Sequence, residues 1–307
     1  MSQLTVDDAQ LQSFLFICSL ISSDRPVLIT RASGIEGSVL EFALRKRHTK
    51  ASPSNRNAIL QNLNACLKRL ANNAGILIKS SYSLDVFVDS NIRANLDSDA
   101  VLVWDGGMGK QFRYCLDYLK NIKPKLPVFD AHGIEPYYFF DNPIYQEKNP
   151  YRDKTILVIT SHVDSMQYQV DSGNYKQCFS PHTIFRDCRF KFVKPPQTLA
   201  GNHGDRDWQL NLPDFIDAIK SAGDFDIALV SCGGYGTPTV EYIHKKFNRH
   251  AVYVGGALQL FFGIIGERWR ENKTIMSFYR ENNGFWISPF LSDVPRNAVN
   301  VEGGCYW

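Results

Sequence analysis

The residues best suited to chemistry form a glycine-rich turn inside residues 226–238. An apolar run ends in this turn, and Thr237 and Pro238 follow at once, which predicts a helix start capped by Thr237 with Pro238 in its first turn. Glycines let the backbone approach a ligand closely, and free N–H groups at a helix start favour a phosphate. The turn residues expected to contact such a ligand are Cys232, Gly233, Gly234, Tyr235 and Gly236.

A second glycine turn follows the next apolar run, residues 251–254. Gly255 and Gly256 stand directly after that run, and Gln259 and Arg268 follow in an aromatic, glycine-containing segment. Two such turns in succession predict a pocket for a phosphorylated ligand, most simply a nucleotide. A purely structural role for the glycines is the alternative, because such turns are common in α/β proteins.

The first turn does not match the dinucleotide fingerprint. Thr239 occupies the position of the third glycine in G-x-G-x-x-G, and no acidic residue ends the following strand to hold a ribose. The sequence therefore predicts a nucleotide pocket of a kind other than an NAD site.

Polar residues also follow the first apolar run, residues 27–30. Arg31 can hold a phosphate with two hydrogen bonds, and Glu36 can accept a proton from an attacking hydroxyl. Ser33 and Gly34 lie between them and are predicted to contact the same ligand. The alternative is a simple helix start with a favourable carboxylate in its first turn.

A third polar group follows the apolar run 155–160. His162 and Asp164 could form an acid–base pair or anchor a phosphate, with Ser161 and Ser165 as additional ligand contacts. A satisfied polar histidine without a function is the alternative. Asp105, which follows another predicted strand, is a weaker candidate for a metal or sugar contact.

Apolar runs alternate with segments of helical periodicity along the whole chain. Strands are predicted at 27–30, 100–104, 127–129, 155–160, 189–193, 226–231 and 251–254. Helices are predicted at 11–21, 34–44, 59–70, 84–96, 111–119 and 212–222. This alternation predicts an α/β, Rossmann-like, mostly parallel sheet with helices on both faces, and such sheets bind ligands beyond the carboxyl ends of their strands. We expect a single domain over residues 1–307, with any boundary between halves in the surface loop 141–153.

Composition limits the classes of partner. A net charge of +3 in 307 residues gives no electrostatic footprint for nucleic acid. The run 11–21 is too short to span a bilayer, so no transmembrane segment is expected. Seven cysteines without C-x-x-C pairs argue against a disulfide framework or a zinc site and favour a reducing, cytoplasmic location.

Several short motifs, taken in order, resemble those of a group of bacterial and large-virus proteins encoded near polysaccharide genes. The motifs lie at residues 31–37, 73–75, 133–136, around His162, and at 232–236, 255–259, 262–263, 268–269 and 305–307. That group is similar to glycosyltransferases of the GT-D fold, which use a nucleotide sugar. A similar domain ends a chlorovirus multidomain glycosyltransferase credited with adding fucose.

The resemblance implies a glycosyltransferase that moves a sugar, with GDP-fucose as one candidate donor, to a glycan hydroxyl. GT-D enzymes bind a divalent metal (Mn or Mg) through an Asp-x-Glu pair. Glu36 matches the Glu, but Gly34 stands in place of the Asp, so metal dependence does not carry over. We expect Glu36, His162 and Asp164 to be catalytic. The residues expected to bind the donor are Arg31, Ser33, Gly34, Ser161, Ser165, Cys232, Gly233, Gly234, Tyr235, Gly236, Gly255, Gly256, Gln259 and Arg268. The alternative is a non-catalytic carbohydrate- or nucleotide-binding module.

Overall fold

Seven strands form one fully parallel sheet in the computed structural model, which describes residues 8–48, 52–104, 107–147 and 149–307. The strands are β1 (Leu28–Arg31), β2 (Ala100–Val103), β3 (Val128–Asp130), β4 (Thr155–Thr160), β5 (Arg189–Val193), β6 (Ile227–Ser231) and β7 (His250–Tyr253). They lie side by side in the order β3-β2-β1-β7-β6-β4-β5. The predicted α/β, Rossmann-like class is therefore confirmed.

Helices cover both faces of this sheet. In the described residues they are α1 (Asp8–Ile21), α2 (Gly34–His48), α3 (Pro53–Asn73), α4 (Ser81–Asp97), α5 (Gly107–Ile122), α6 (Pro143–Glu147), α7 (Val163–Asp171), α8 (Leu212–Ser221), α9 (Gly236–Phe247) and α10 (Lys273–Glu281). Short 3₁₀ turns make up much of the chain after β7. None of the described helices combines the length and the apolar character needed to cross a bilayer.

Each strand contributes to two hydrophobic cores because its side chains alternate between the faces of the sheet. Ile29 packs into one core together with Phe14 of α1 and Met166 of α7. Leu28 packs into the other together with Val39 of α2. A sheet buried on both faces explains why its strands read as continuous apolar runs.

The central strand of the seven is β7, and β1 lies directly beside it. Leu28 of β1 lies opposite Ala251 of β7, and Ile29 of β1 lies opposite Ala100 of β2. The edges are β3 and β5, and β5 coincides with the strand predicted at residues 189–193. Because all strands run in one direction, the segments after β1, β2, β4, β6 and β7 all emerge at the same side of the sheet.

Two helices, α3 and α9, begin earlier than predicted. Residue Ser52 accepts a hydrogen bond from the N–H of Asn55, and α3 begins at Pro53, six residues before the predicted apolar stripe. The predicted Thr237 cap is wrong, because α9 already begins at Gly236 and Thr237 lies inside its first turn. Pro238 does fall in that first turn, as predicted.

The segment 141–153 differs from the predicted surface loop. It contains the short helix α6, and Tyr145 and Tyr151 are both buried in the core beside α1 and Phe185. Although the segment is rich in Pro, Asn and charged residues, burial of these two tyrosine rings holds it against the core. A boundary between halves at this segment stays a prediction.

Candidate functional site

A cavity of about 470 Å³ opens at the carboxyl ends of the strands, around the junction of β1 and β7. The chain leaves β1 towards β2 on one side, while β7, β6 and β4 lie on the other. The cavity is lined by residues that directly follow β1, β4, β6 and β7, and parallel α/β sheets bind ligands beyond the carboxyl ends of their strands. The cavity is therefore located where a parallel α/β sheet binds its ligands.

Arg31, the last residue of β1, points into this cavity. Its guanidinium carbon lies 5.6 Å from the ring centre of Trp104 and 5.5 Å from that of Tyr253. Its Nε is buried without a hydrogen-bond partner, and no ion pair of Arg31 is found in the part of the chain that the structure describes. A guanidinium with free donors fits an anionic ligand such as a phosphate.

Gly255 is the residue that makes room for this arginine. It has a φ of +71°, and a Cβ at this position would overlap the guanidinium of Arg31. Gly256, next in the chain, is packed equally closely against the ring of Tyr306. The second glycine turn therefore lines the cavity as predicted. The space that its two glycines leave is occupied by the side chains of Arg31 and Tyr306.

The first glycine turn is also packed against the protein. The N–H of Gly234 donates to the carbonyl of Ala74 at 2.9 Å, and the N–H of Tyr235 donates to the carbonyl of Cys232 at 3.2 Å. The N–H of Gly236 donates to the carbonyl of Gly233. The expectation that these N–H groups are free to bind phosphate is therefore wrong.

Part of the first turn nevertheless reaches the cavity. Cys232 and Gly233 line it, whereas Gly234, Tyr235 and Gly236 do not. Tyr235 is buried and bonded to Asn211, and Gly236 lies against the ring of Tyr253.

Glu36 lies in the first turn of α2 and lines the cavity with Ser33, Gly34 and Ile35. The hydroxyl of Ser33 donates to its carboxylate. Burial raises the pKa of Glu36 above its ordinary value, although Arg31 nearby lowers it. A carboxyl group with a raised pKa at a cavity wall suits general-base work near neutral pH.

Glu135 is a second buried carboxyl group at the cavity, and it was missed as a site residue. It follows β3, is 4% exposed, and accepts a hydrogen bond from the hydroxyl of Tyr137. Burial raises its pKa, and Arg31 and Arg268 are near enough to lower it. The signal that could have found it is its place just beyond the end of a parallel strand.

His162 lines the cavity after β4 and is 7% exposed. Burial lowers its pKa to about 4, and the nearby carboxylate of Asp293 only partly opposes this effect. His162 is thus neutral near pH 7 and supplies no positive charge to a ligand. Its buried Nε2 lacks a partner with good hydrogen-bond geometry among the described residues, although the backbone of Tyr306 is close enough to the ring to raise its pKa.

Asp164 and Ser165 were predicted to accompany His162 but do not line the cavity. Asp164 is exposed on α7, and Ser165 is buried and donates its hydroxyl to Asp293 at 2.7 Å. Ser161 lies at the cavity wall as expected. Asp105 lies outside the described residues.

Arg268 and the last residues of the chain form another wall. Arg268 donates to the hydroxyl of Tyr306 at 2.5 Å, and Glu302 lies 3.8 Å from its guanidinium. The side chain of Gln259 donates to the backbone carbonyl of Tyr306 at 3.2 Å, and the ring of Trp307 lies 6.3 Å from that of His162. The late aromatic residues thus belong to the site as well as to the core.

Comparisons with protein-family models, curated proteins and solved structures found no match for this chain. Its function is therefore inferred from the chemistry of the cavity.

Four of the eight buried side-chain polar atoms that lack a partner in the described part of the chain belong to residues lining this cavity. Among the described residues they are Arg31 Nε, His162 Nε2, Gln259 Oε1 and Trp307 Nε1. Buried polar groups are almost always hydrogen-bonded, so a concentration of unpaired ones marks a place for a polar ligand.

A divalent metal of the kind bound by GT-D enzymes does not fit these residues. Gly34 supplies no ligand atom beside Glu36, and the described residues contain no group of three His, Cys, Asp or Glu side chains able to hold an ion.

Several cavity residues were not predicted as site residues, although Asn73 and Trp269 lie in the motifs at 73–75 and 268–269. They are Arg69, Asn73, Trp104, Tyr138, Trp269, Asn272, Val301 and Glu302. Arg69 and Asn73 lie one helical turn apart on α3, on a face that packing turns towards the cavity. Such residues reach the site through packing, which local periodicity does not encode.

Proposed function

We propose that this protein is a glycosyltransferase that moves a sugar from a nucleotide donor to a hydroxyl of a glycan. The observation that carries the proposal is the half-buried, unpaired guanidinium of Arg31 at the junction of β1 and β7. An anionic diphosphate supplies the missing partner, and the adjoining cavity has the volume of a small-molecule site.

The proposed chemistry requires charge stabilisation and a base. As the donor bond breaks, negative charge grows on the diphosphate, and Arg31 and Arg268 stabilise it by fixed charge. Glu36 accepts the proton of the attacking hydroxyl when the reaction inverts the sugar. His162, being neutral, provides a hydrogen bond instead of charge.

The resemblance to the GT-D group supports the same activity and GDP-fucose as one donor to test. A cytoplasmic setting is part of the proposal, supported by the seven cysteines, all of which are free. The partners are a nucleotide sugar and a glycan acceptor, with no role for nucleic acid.

The experiment is an incubation of the protein with GDP-, UDP-, CDP- and dTDP-linked sugars, followed by measurement of free nucleoside diphosphate. A transferase releases the diphosphate slowly with water as acceptor and faster when a suitable glycan is added. Binding of a nucleotide sugar without any release would instead establish the non-catalytic binding module. No binding of any nucleotide would contradict both.

A further inference from the structure

One part of the cavity combines aromatic rings with hydrogen-bonding side chains. Trp104 follows β2, and Glu135 and Tyr138 follow β3. Asn272 donates to the hydroxyl of Tyr138 at 2.8 Å, and Trp269 lies just before it in the chain. We call these five residues the aromatic end of the cavity.

The strand order gives the aromatic end a defined place relative to Arg31. Along the carboxyl edge of the sheet, β3 and β2 come first, then β1 and β7, then β6 and β4. Arg31 and Gly255 therefore lie at the middle of the cavity. The aromatic end lies on one side of them, and Gly233 and His162 lie on the other.

This order divides the cavity into two parts on either side of a diphosphate bound at Arg31. A nucleotide sugar carries its nucleoside at one end of the diphosphate and its sugar at the other. The two ends of such a ligand must therefore occupy different parts of the cavity.

The chemistry of the aromatic end suits a sugar ring. A carboxyl group and an amide exchange hydrogen bonds with hydroxyl groups, and aromatic rings pack against the apolar C–H face of a pyranose. Within the described residues the carboxylate of Glu135 forms no ion pair and accepts one hydrogen bond, from Tyr137, so it keeps acceptor capacity for a ligand. The opposite part offers the hydroxyl groups of Ser161 and Ser231 and a neutral histidine beside Trp307, but no carboxyl group that lines the cavity follows β4 or β6 directly.

We propose that the aromatic end binds the sugar of the donor, with Glu135 hydrogen-bonded to a sugar hydroxyl and Tyr138 packed against the ring. This inference rests on the proposed function, because it takes the diphosphate to lie at Arg31. It makes Glu135 and Tyr138 the residues that select the sugar.

Calorimetric titration of Glu135→Gln tests the assignment. The probes are GDP, UDP, CDP and dTDP, and the corresponding GDP-fucose, UDP-glucose, CDP-glucose and dTDP-glucose. Relative to the unchanged protein, we expect the variant to bind nucleotide sugars ~10-fold or more weakly, because one charge-assisted hydrogen bond is lost. Its affinity for the bare diphosphates should change less than about twofold, since they do not reach Glu135.

Two further sets of variants guard against misfolding. Tyr138→Phe keeps the ring and should retain most of the sugar affinity, whereas Tyr138→Ala removes it and should lose that affinity selectively. Glu241→Gln is the matched control, because Glu241 is also 4% exposed but pairs with Arg93 and Lys245 away from the cavity. It should leave both kinds of ligand unaffected.

The outcomes separate this inference from the proposed function. If Glu135→Gln lost equal affinity for nucleotide sugars and bare diphosphates, or lost affinity for neither, the sugar assignment would be overturned while a nucleotide site remained. If the unchanged protein bound none of the eight probes, the proposed function would fail and the sugar assignment with it.

Discussion

Arg31 is the residue whose surroundings differ most from those of an ordinary structural arginine. Two rings flank its guanidinium, and its Nε is buried without a partner. By contrast, Arg45 also stacks on a ring, 4.3 Å from the centre of Tyr114, but is paired with Glu41. An ion pair such as Arg45–Glu41 is the more stable arrangement for a partly buried arginine, because burying a charge without a partner costs stability. The unpaired Nε of Arg31 is consistent with the proposed bound anion.

Glu36 provides a direct test of base catalysis. Replacing it in Glu36→Gln keeps the hydrogen bond from Ser33 but removes the proton acceptor, so we expect turnover to fall ~100-fold or more. The measurement is the rate of nucleoside diphosphate release at saturating donor and acceptor.

Glu41→Gln is the control for Glu36→Gln, since Glu41 lies on the same helix and pairs with Arg45 on its surface. It should keep normal turnover. Full activity in Glu36→Gln would remove Glu36 from the mechanism.

His162 links the site to the pH dependence of folding. Its pKa falls from 6.5 to about 4 on burial, so at intermediate pH the unfolded chain binds a proton that the folded protein does not. Stability from this residue is therefore complete above pH 6.5 and is lost as pH falls towards 4. The expected loss is about 3 kcal/mol in the free energy of unfolding.

Urea denaturation at several pH values, compared with His162→Gln, isolates this effect. The stability difference between the two proteins should shrink steadily from pH 7 to pH 4. A difference that stays constant with pH would mean that His162 keeps an ordinary pKa in the folded protein.

At the scale of elements, the turn after β7 fixes where Arg31 can lie. In Gly255→Ala a side chain would be forced into a positive φ and into the guanidinium, so we expect a loss of about 2 kcal/mol in stability. Because Arg31 must also move, the affinity for nucleoside diphosphate should fall ~10-fold or more.

Gly173→Ala is the matched control for Gly255→Ala. Gly173 has a φ of +74° but no neighbouring atom near a new Cβ. We expect Gly173→Ala to lower the free energy of unfolding by about 1 kcal/mol through backbone strain alone and to leave the nucleotide affinity unchanged. Equal nucleotide affinities in both variants would show that Gly255 does not position the arginine.

Elements with a strong apolar pattern could be predicted from the sequence. The run 155–160 is found as β4 with the same bounds, and the run 100–104 is found as β2, one residue shorter. Helices α7 and α10 were not predicted, because their apolar stripes are short and their positions depend on contacts with distant segments. Asp293, for example, binds the N–H of Ser165 in the first turn of α7 at 2.8 Å.

The candidate site was predictable only where it follows a strand directly. Arg31, Glu36, His162 and Gly255 come together because parallel strands end at one side of the sheet. Tyr138 and Asn272, by contrast, meet through tertiary packing that no local pattern records. The N–H groups of Gly234 and Tyr235, which were expected to be free, donate to the carbonyls of Ala74 and Cys232, and no local pattern predicts that Ala74 lies beside the turn.

The whole molecule is needed to build the cavity. Its walls come from both halves of the sheet and from the last residues of the chain, from Arg31 to Trp307. A ligand that binds there contacts segments separated by almost the full sequence. We therefore expect nucleotide binding to report on the integrity of the complete fold.

The central claim is that the junction of β1 and β7 holds the diphosphate of a nucleotide sugar. The most direct measurement is a crystal structure of the protein with the nucleoside diphosphate that binds it best. The account predicts diphosphate oxygens within hydrogen-bond distance of the Arg31 guanidinium, inside the cavity lined by Glu36 and Gly255. A nucleotide bound elsewhere, with Arg31 still unpaired between Trp104 and Tyr253, would contradict it.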